Sequence, residues 1–392
     1  MIWIISLFIA ASAAADIAAW RFGRLSCGGS QRAARVLLGI LLTADCVPLM
    51  VKCADYLVAD NTQAFCDASM WIMTVWAMTV VPKTAVVASL LVSRRRAVHA
   101  AGAAVAAAMV AMLVYGIVWG RKDLRVTRVE IHSQRLPESF DGFRIALFSD
   151  LHIGALTDAE TEIERVVETI NSLDADAVFF CGDLVNIRHT ELDSARMALL
   201  GRIRSAYGTF CVTGNHDTGF YVADSVSLPL TESRRMILEK ERLMDWHPLE
   251  CRSTALRRGG DSISVTGIGF FDELNEKRHA RRISQFDLSA AYEGVDTAAF
   301  NITLAHIPQM WPQIRSAGGG DLTLSGHVHA MQLKFRIFGR DISPVQLLYR
   351  HWSGLYGSER EGYLYVNDGV GYAGIPARVG ARPEITLITL RK

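Results

Sequence analysis

The sequence predicts an α/β protein in which four N-terminal transmembrane helices precede a soluble domain of sheets with helices packed outside them. Three observations carry that prediction. Residues 1–120 are dominated by Ala, Val, Leu, Ile, Met and Trp, whereas the rest of the 392-residue chain has the ordinary charged and apolar mixture of a soluble domain. In that second part, strand-length apolar runs alternate with amphipathic helical segments. Several of those runs end in Asp, Asn or His.

Four apolar stretches, at about 2–20, 36–58, 70–92 and 97–119, approach or exceed the roughly 20 residues that a helix needs to cross a bilayer. The first lacks the basic start of a signal peptide and three spans follow it, so it reads as a retained helix. Basic residues near span ends tend to stay cytoplasmic. Arg21, Arg24, Arg32 and Arg35 lie in the first connection, Arg94, Arg95 and Arg96 in the third, and none in the second. With four spans, that pattern makes the protein multi-pass in the cell (inner) membrane, with its C-terminal domain extracytoplasmic. Arg121, Lys122, Arg125 and Arg128 argue the other way, and losing one span would reverse the side. Asp45 and Lys83 fall inside spans, where each would cost about 2.5–3.5 kcal/mol if unpaired near a helix centre. Their similar depth leads us to expect an ion pair between neighbouring helices, with a transport role as the sharper alternative.

Charge and cysteine usage exclude other classes. A formal net charge of +1 gives no electrostatic case for nucleic acid. Seven cysteines without a C-x-x-C pair suggest neither a zinc knuckle nor a disulfide framework. Cys181 and Cys211 sit in apolar, strand-like runs and read as core residues.

Residues 121–142 read as a linker and first strand, since "LRVTRVEIHS" alternates as a strand does and "LPESFDGF" reads as a turn. "RIALFSDLHIG" rises through a strand into a polar loop. Thr157 and Glu160 are spaced for a capping box, and Ile163, Val166, Val167, Ile170 and Leu173 follow at helical spacing. "AVFFCGD" is another strand. Further on, "SRRMILEKERLMDWHPLE" reads as an outer helix with a solvated face.

The strand ends are the informative part. "FSDLH", "FCGDLVN", "CVTGNHD", "ITLAHIP" and "LTLSGHVH" each place Asp, Asn or His where an apolar strand meets a loop. Ends of neighbouring strands converge on one rim, so five of them can assemble a site from distant parts of the chain. Turn chemistry accounts for Gly182, Asp183, Gly214, Asn215 and Asp217. It does not account for histidine at four of the five ends, because histidine has no special turn preference and is the commonest side-chain metal ligand.

The ordered set "SDLH", "GDLVN", "GNHD", "AHIP" and "SGHVH" resembles the calcineurin-like metallophosphoesterases over residues 143–392, and most closely their branch with N-terminal transmembrane helices. The tail "YLYVNDGVGYAGIPARVGARPEITLITL" is similar to that branch too. The resemblance implies a four-layer α/β/β/α sandwich with two mixed sheets and a site for two metal ions. Asp150, His152 and His329 would hold one metal, Asn215, His306 and His327 the other, and Asp183 would bridge them. His216 would act beside the metals, stabilising the transferred phosphoryl group or protonating the leaving oxygen. Asp217 would fix its loop. Mixed nitrogen and oxygen ligands suit Mn, Fe or Zn better than Ca or Mg.

Two departures stand out. Where relatives often carry "GHTHGGQ", this chain has Val328, Ala330 and Met331, so side chains replace two permissive glycines. Asn186 stands where some relatives place an acid that pairs with the catalytic histidine. The segment "LKFRIFGRDISPVQLLYRHW" reads as a plain hairpin. Its alternative is a lipid-facing lip, with Phe335, Phe338 and Trp352 entering the interface and Lys334, Arg336 and Arg350 meeting headgroup phosphates.

The function implied is a membrane-anchored phosphoesterase in which a hydroxide shared by two metals hydrolyses a phosphate ester or anhydride, and tethering favours a lipid-linked substrate. One candidate that the resemblance adds is UDP-2,3-diacylglucosamine in lipid A synthesis. A membrane sensor that binds a phosphorylated ligand without turnover is the reading of another class. Oligomeric state is not legible.

Overall fold

The computed structural model describes residues 10, 12–14, 16–17, 20–21, 39–47, 63–93, 95–222, 226–271, 274, 287–296 and 298–392. The chain divides into two compact units. The first comprises Met1–Val118 with the short segments Ala223–Ser225 and Gly374–Ala377, and the second comprises the remainder.

In the first unit, helices run over Gln63–Val92 and Arg96–Val118. The runs Asp67–Leu90 and Arg96–Lys122 are long and apolar enough to cross a membrane. They correspond to the third and fourth expected spans. The first two, 2–20 and 36–58, lie largely outside the described residues, although 39–47 is helical. Gly102 allows the two long helices to approach, since a Cβ there would fall 2.4 Å from Ser89 Cβ.

Lys83 does pair with Asp45, Nζ to Oδ1 at 2.5 Å, and it also meets Asp16 Oδ2 at 2.6 Å. Ser12 donates to Asp45 at 3.1 Å. Asp16 lies within the first expected span and is a further intramembrane charge, as Lys52 and Asp55 of the second expected span are by sequence. Both carboxylates are fully buried, so the ammonium offsets a desolvation cost that neither could bear alone.

The second unit is built on two six-stranded sheets. Strands β1 (Arg125–His132), β2 (Arg144–Phe148), β3 (Ala177–Phe180), β4 (Thr209–Cys211), β5 (Trp246–Pro248) and β14 (Glu384–Arg391) form the first, in the order β1-β14-β2-β3-β4-β5. Strands β6 (Arg252–Arg258), β7 (Asp261–Ile268), β8 (Asn301–Ala305), β9 (Leu322–Ser325), β12 (Gly354–Ser358) and β13 (Gly362–Val366) form the second, in the order β12-β13-β9-β8-β7-β6. Both sheets are mixed. β2, β3, β4 and β5 are parallel while β14 runs antiparallel to β2, and β7, β8, β9 and β13 are parallel while β6 and β12 run antiparallel at the edges.

The period-2 alternation of strands explains the layering. Ile145, Leu147 and Phe179 turn inward to meet Ile302, Leu304, Leu322 and Leu324 of the facing sheet. Ala146, Phe148, Val178 and Phe180 turn outward against Ile163, Val166, Val167 and Ile170 of the helix Ala159–Ser172. Outside the second sheet, Ile268 and Ala305 pack with Met310 and Ile314. The helix Leu230–Leu243 forms from the charged outer segment as expected. Cys181 and Cys211 are buried in the core.

The capping box does not form. The helix begins at Ala159 with Asp158 as its N-cap and no side-chain capping bond. The Thr157 N–H instead donates to Tyr372 Oη at 2.8 Å, a tertiary partner that local spacing cannot reveal. The hairpin does form, as β10 (Phe335–Ile337) paired antiparallel with β11 (Arg340–Ile342). Two residues assigned to a lip are corrected. Trp352 is buried in a satellite core, and Lys334 is buried against Asp368 and Ser353, so neither is placed to meet lipid.

Candidate metal centre

Each predicted site residue stands just past the C-terminal end of a strand, and the sheet order explains why they meet. β2, β3 and β4 are neighbours in one sheet, β8 and β9 in the other. Their loops therefore open on a common rim spanning both sheets.

Two groups of ligand-type side chains converge there, one of Asp150, His152, Asp183 and His329, the other of Asp183, His306 and His327. Asp183 belongs to both. Its Oδ2 lies 3.1 Å from His306 Nε2 and 3.7 Å from His152 Nε2. His329 Nε2 lies 3.1 Å from Asp150 Oδ1 and 3.1 Å from His152 Nε2. Asn215 joins through Oδ1, 3.1 Å from His306 Nε2. All seven expected ligand residues are thus brought together.

Backbone geometry aims these side chains. Asp150, His152, Asp183, His327 and His329 all have φ between 47° and 72°, the left-handed region that ordinary residues avoid. Strain of that kind, of order 1–3 kcal/mol each, persists where surrounding bonds over-determine it. Those bonds are present. Asp217 accepts from the N–H groups of Asp183, Leu184, Val185 and Gly214, tying the β3 loop to the β4 loop. The expectation that Asp217 fixes its loop thus has a geometric basis. His327 N–H donates to Asp150 Oδ1 at 2.9 Å, and His216 N–H donates to Asp183 Oδ1 at 2.8 Å, which leaves Asp183 Oδ2 to the imidazoles. His306 Nδ1 is tied to the Cys181 carbonyl at 2.7 Å, which directs Nε2 inward.

Electrostatics favour a bound cation. Burial opposes ionisation of Asp183, but His306 and His216 overcome it, and the carboxyl is held well below the usual range. Asp150 behaves likewise through His329. Burial and the neighbouring His216 push His152 well below the usual imidazole value, so its ring stays neutral and its lone pair available. Space is reserved as well: a Cβ on Gly214 would fall 2.2 Å from Asp183 Oδ1, and one on Gly326 2.3 Å from Asp150 Oδ2. Burial opposes the charge on His306 but the Asp183 carboxylate outweighs it, raising the ring to about 9, so a metal taken up there would displace that proton. The donor set of carboxylates, an amide oxygen and imidazole nitrogens fits divalent transition metals.

His216 stands beside this cluster. Its ring meets His152 edge-on at 4.6 Å and stacks on Tyr221 at 4.2 Å. Nδ1 is held by the Asn186 carbonyl at 2.5 Å, so the backbone of Asn186 supplies the anchor that an acid supplies in some relatives. The glycine replacements keep the glycine conformation. Ala330 (φ 48°) and Met331 (φ 53°) remain left-handed despite their side chains.

Several contributors were not legible. Tyr349 Oη meets His327 Nε2 at 3.2 Å, and Tyr221 Oη accepts from Asn215 Nδ2 at 2.9 Å. Arg378 is fully buried, binds the carbonyls of Asp368, Gly371 and Ala381, and reaches His329 Nδ1 at 3.2 Å. Glu191, raised to about 7 by burial, gathers the N–H groups of Gly154, Asn186 and Ile187. Of these, only Arg378 had a sequence signal, its place in the "IPARVGARPE" tail.

A rim of acid and histidine side chains on paired mixed sheets defines a class, the metal-binding α/β sandwiches. Comparison with known proteins narrows it. Residues 143–331 match the family model described as calcineurin-like phosphoesterase. A "Transmembrane protein with metallophosphoesterase domain" of Danio rerio is 33% identical over 283 residues, covering 72% of this chain and 60% of that protein. The Bos taurus protein of the same name is 32% identical over 279 residues, with 71% and 60% covered. An uncharacterized metallophosphoesterase of Bacillus subtilis (strain 168) is 27% identical over 274 residues, with 68% and 86% covered. Residues 143–331 therefore form a calcineurin-like phosphoesterase domain. The match spans about 60% of the length of the two vertebrate relatives.

Proposed function

We propose that this protein is a membrane-anchored, metal-dependent phosphoesterase that hydrolyses a phosphate ester or anhydride. The observation that carries the reading is the Asp183 carboxylate, shared by two converging groups of nitrogen and oxygen donors. Asp150, His152 and His329 would hold one cation, Asn215, His306 and His327 a second, with Asp183 between them. Two such cations acidify water and neutralise phosphoryl oxygens as charge develops on them.

The chain's own groups do the rest. The bonds from Asp217 hold the β3 and β4 loops in register, so the donors need little reorganisation when a phosphate arrives. His216 has Nδ1 committed to the Asn186 carbonyl. Proton exchange at this ring therefore falls to Nε2, which serves the leaving oxygen or the phosphoryl group. His216→Asn should lower turnover about 10²–10⁴-fold while metal content stays at the wild-type level. Loss of metal in that variant would make His216 a ligand instead.

A membrane anchor places the domain where lipid-linked phosphates are found, which supports a lipid-linked substrate. If the chain has four spans, the basic residues in the first and third connections support an extracytoplasmic domain. Protease added to cells whose outer layers have been removed, with the inner membrane sealed, would cleave the domain under that reading and spare it under the opposite one.

The test of function compares wild type with Asp183→Asn, both loaded with Mn²⁺, on bis-p-nitrophenyl phosphate, p-nitrophenyl phosphate and a nucleoside-diphosphate lipid. Turnover lost by at least about 10³-fold in the variant supports the reading, as removal of a group central to charge stabilisation should cost that much. Equal background rates in both proteins, with metal bound to the wild type, would overturn it in favour of a non-catalytic sensor.

A further inference from the structure

We infer that the β10–β11 hairpin is a lip that dips into the lipid bilayer and holds the rim of the metal centre at the headgroup layer. Insertion is argued from the hairpin alone. Its use in presenting a lipid phosphate rests on the phosphoesterase reading.

The argument begins with the pairing register. Phe335 faces Ile342 and Ile337 faces Arg340, while Arg336 faces Asp341. Directly opposed residues share a face, and side chains alternate along a strand. One face of the ribbon therefore carries Phe335, Ile337 and Ile342 with Arg340 at its outer end, and the other carries the Arg336–Asp341 pair, 3.9 Å apart. All six strand residues are exposed. At the turn, Phe338 adopts φ 50° and stands 101% exposed.

Such a ribbon is poorly suited to water. A two-stranded hairpin is marginal without a covered apolar face, and no further strand pairs with this one among the described residues. Exposed apolar patches rimmed by charge mark places that something else covers. Here the surround identifies the cover. Asp341 answers Arg336, and the exposed Arg340 and Arg350 leave the segment positive. An apolar face and tip with Arg340 beside them, its long side chain free to reach back to the phosphates, match a bilayer whose hydrocarbon begins beneath a layer of phosphates. The two described helices of membrane-spanning length and composition point to the same partner.

The hairpin is firmly attached to the metal centre. At its base Lys334 is buried against Asp368, and Ser343 Oγ donates to the Ala330 carbonyl at 2.9 Å, one residue after His329. Val345 and Tyr349 pack with Val328 and Ala330, and Tyr349 Oη touches His327. Insertion at Phe338 thus fixes how high the histidines ride above the hydrocarbon. A phosphate ester at the lipid surface is the substrate that this arrangement presents.

The experiment uses the full chain in lipid nanodiscs. An environment-sensitive fluorescent amino acid is placed at position 338, and at the exposed position 360 as a control. In discs containing anionic phospholipid, the probe at 338 should emit to the blue of its value in water and be quenched at least about twofold by brominated lipids. The probe at 360 should do neither. Water-like emission at 338 would overturn the proposal. So would blue-shifted emission without bromine quenching, which would mean a second copy or another protein covers the tip. In parallel, Ile337→Ser with Phe338→Ser should slow hydrolysis of a bilayer-embedded phosphate ester about tenfold and leave bis-p-nitrophenyl phosphate hydrolysis unchanged. An equal effect on both substrates would overturn the presenting role. Quenching with no hydrolysis of any phosphate would leave the lip standing and overturn the phosphoesterase reading.

Discussion

Two of the buried carboxylate pairs among the described residues are closed in opposite ways. In the helical unit, Asp16 and Asp45 face the ammonium of Lys83 at 2.6 and 2.5 Å. At the strand-end rim, Asp150 and Asp183 face imidazoles. Lysine supplies a permanent cation, so the first cluster carries its own counter-charge. Imidazole can give up its proton and offer a lone pair instead, so the second cluster could exchange the proton on His306 for a cation from outside. The same residue type is therefore closed by a fixed charge in one setting and suited to a metal in the other, and what differs is the partner.

The largest way to break this comparison is through Lys83. Lys83→Ala should destabilise the helical unit by about 3–5 kcal/mol, since it strands buried charge, and adding Asp45→Asn should recover part of the loss. Metal content and phosphate hydrolysis by the folded fraction should not change. A fall in metal content would show that the two clusters are not independent.

Chelation probes the other side. Saturating metal should stabilise the second unit by about 3–4 kcal/mol at 100 to 1,000 times its dissociation constant. Stripping it should lower the thermal midpoint of that unit and leave far-ultraviolet ellipticity from the helical unit intact. Identical melting with and without metal would contradict a cation-completed cluster.

The smallest effect concerns the turn that carries His329. Met331 holds φ 53° and is half exposed, so Met331→Gly relieves left-handed strain at little cost in burial. Denaturant unfolding should report a gain of about 1 kcal/mol. A loss would mean that the Met331 side chain makes a contact worth more than the strain.

What the sequence made legible follows the same physics. Strand ends bearing Asp, Asn and His could be read because apolar runs mark the strands and histidine has no turn chemistry to excuse it. Lys83 could be matched with Asp45 because an unpaired charge within a span is costly. Asp16 escaped because its apolar neighbours made residues 2–20 read as an uninterrupted span. Tyr221, Tyr349 and Glu191 reach the site through the tertiary path of loops, and nothing in their local sequence distinguishes them from core aromatics or a surface acid. Thr157 failed as a cap for a related reason, as its N–H found Tyr372, far along the chain. Of the four expected spans, the third and fourth are found as membrane-length helices, and the first two lie largely outside the described residues.

The most direct test of the central claim is the metal content of the purified full chain, measured by mass spectrometry after incubation with Mn²⁺, Fe²⁺ or Zn²⁺ and removal of loosely bound ions. The account predicts about two metal ions per chain for wild type and a clear loss of both in Asp183→Asn, because one carboxylate serves both groups. Equal metal content in the two proteins, or none retained by folded wild type, would contradict it.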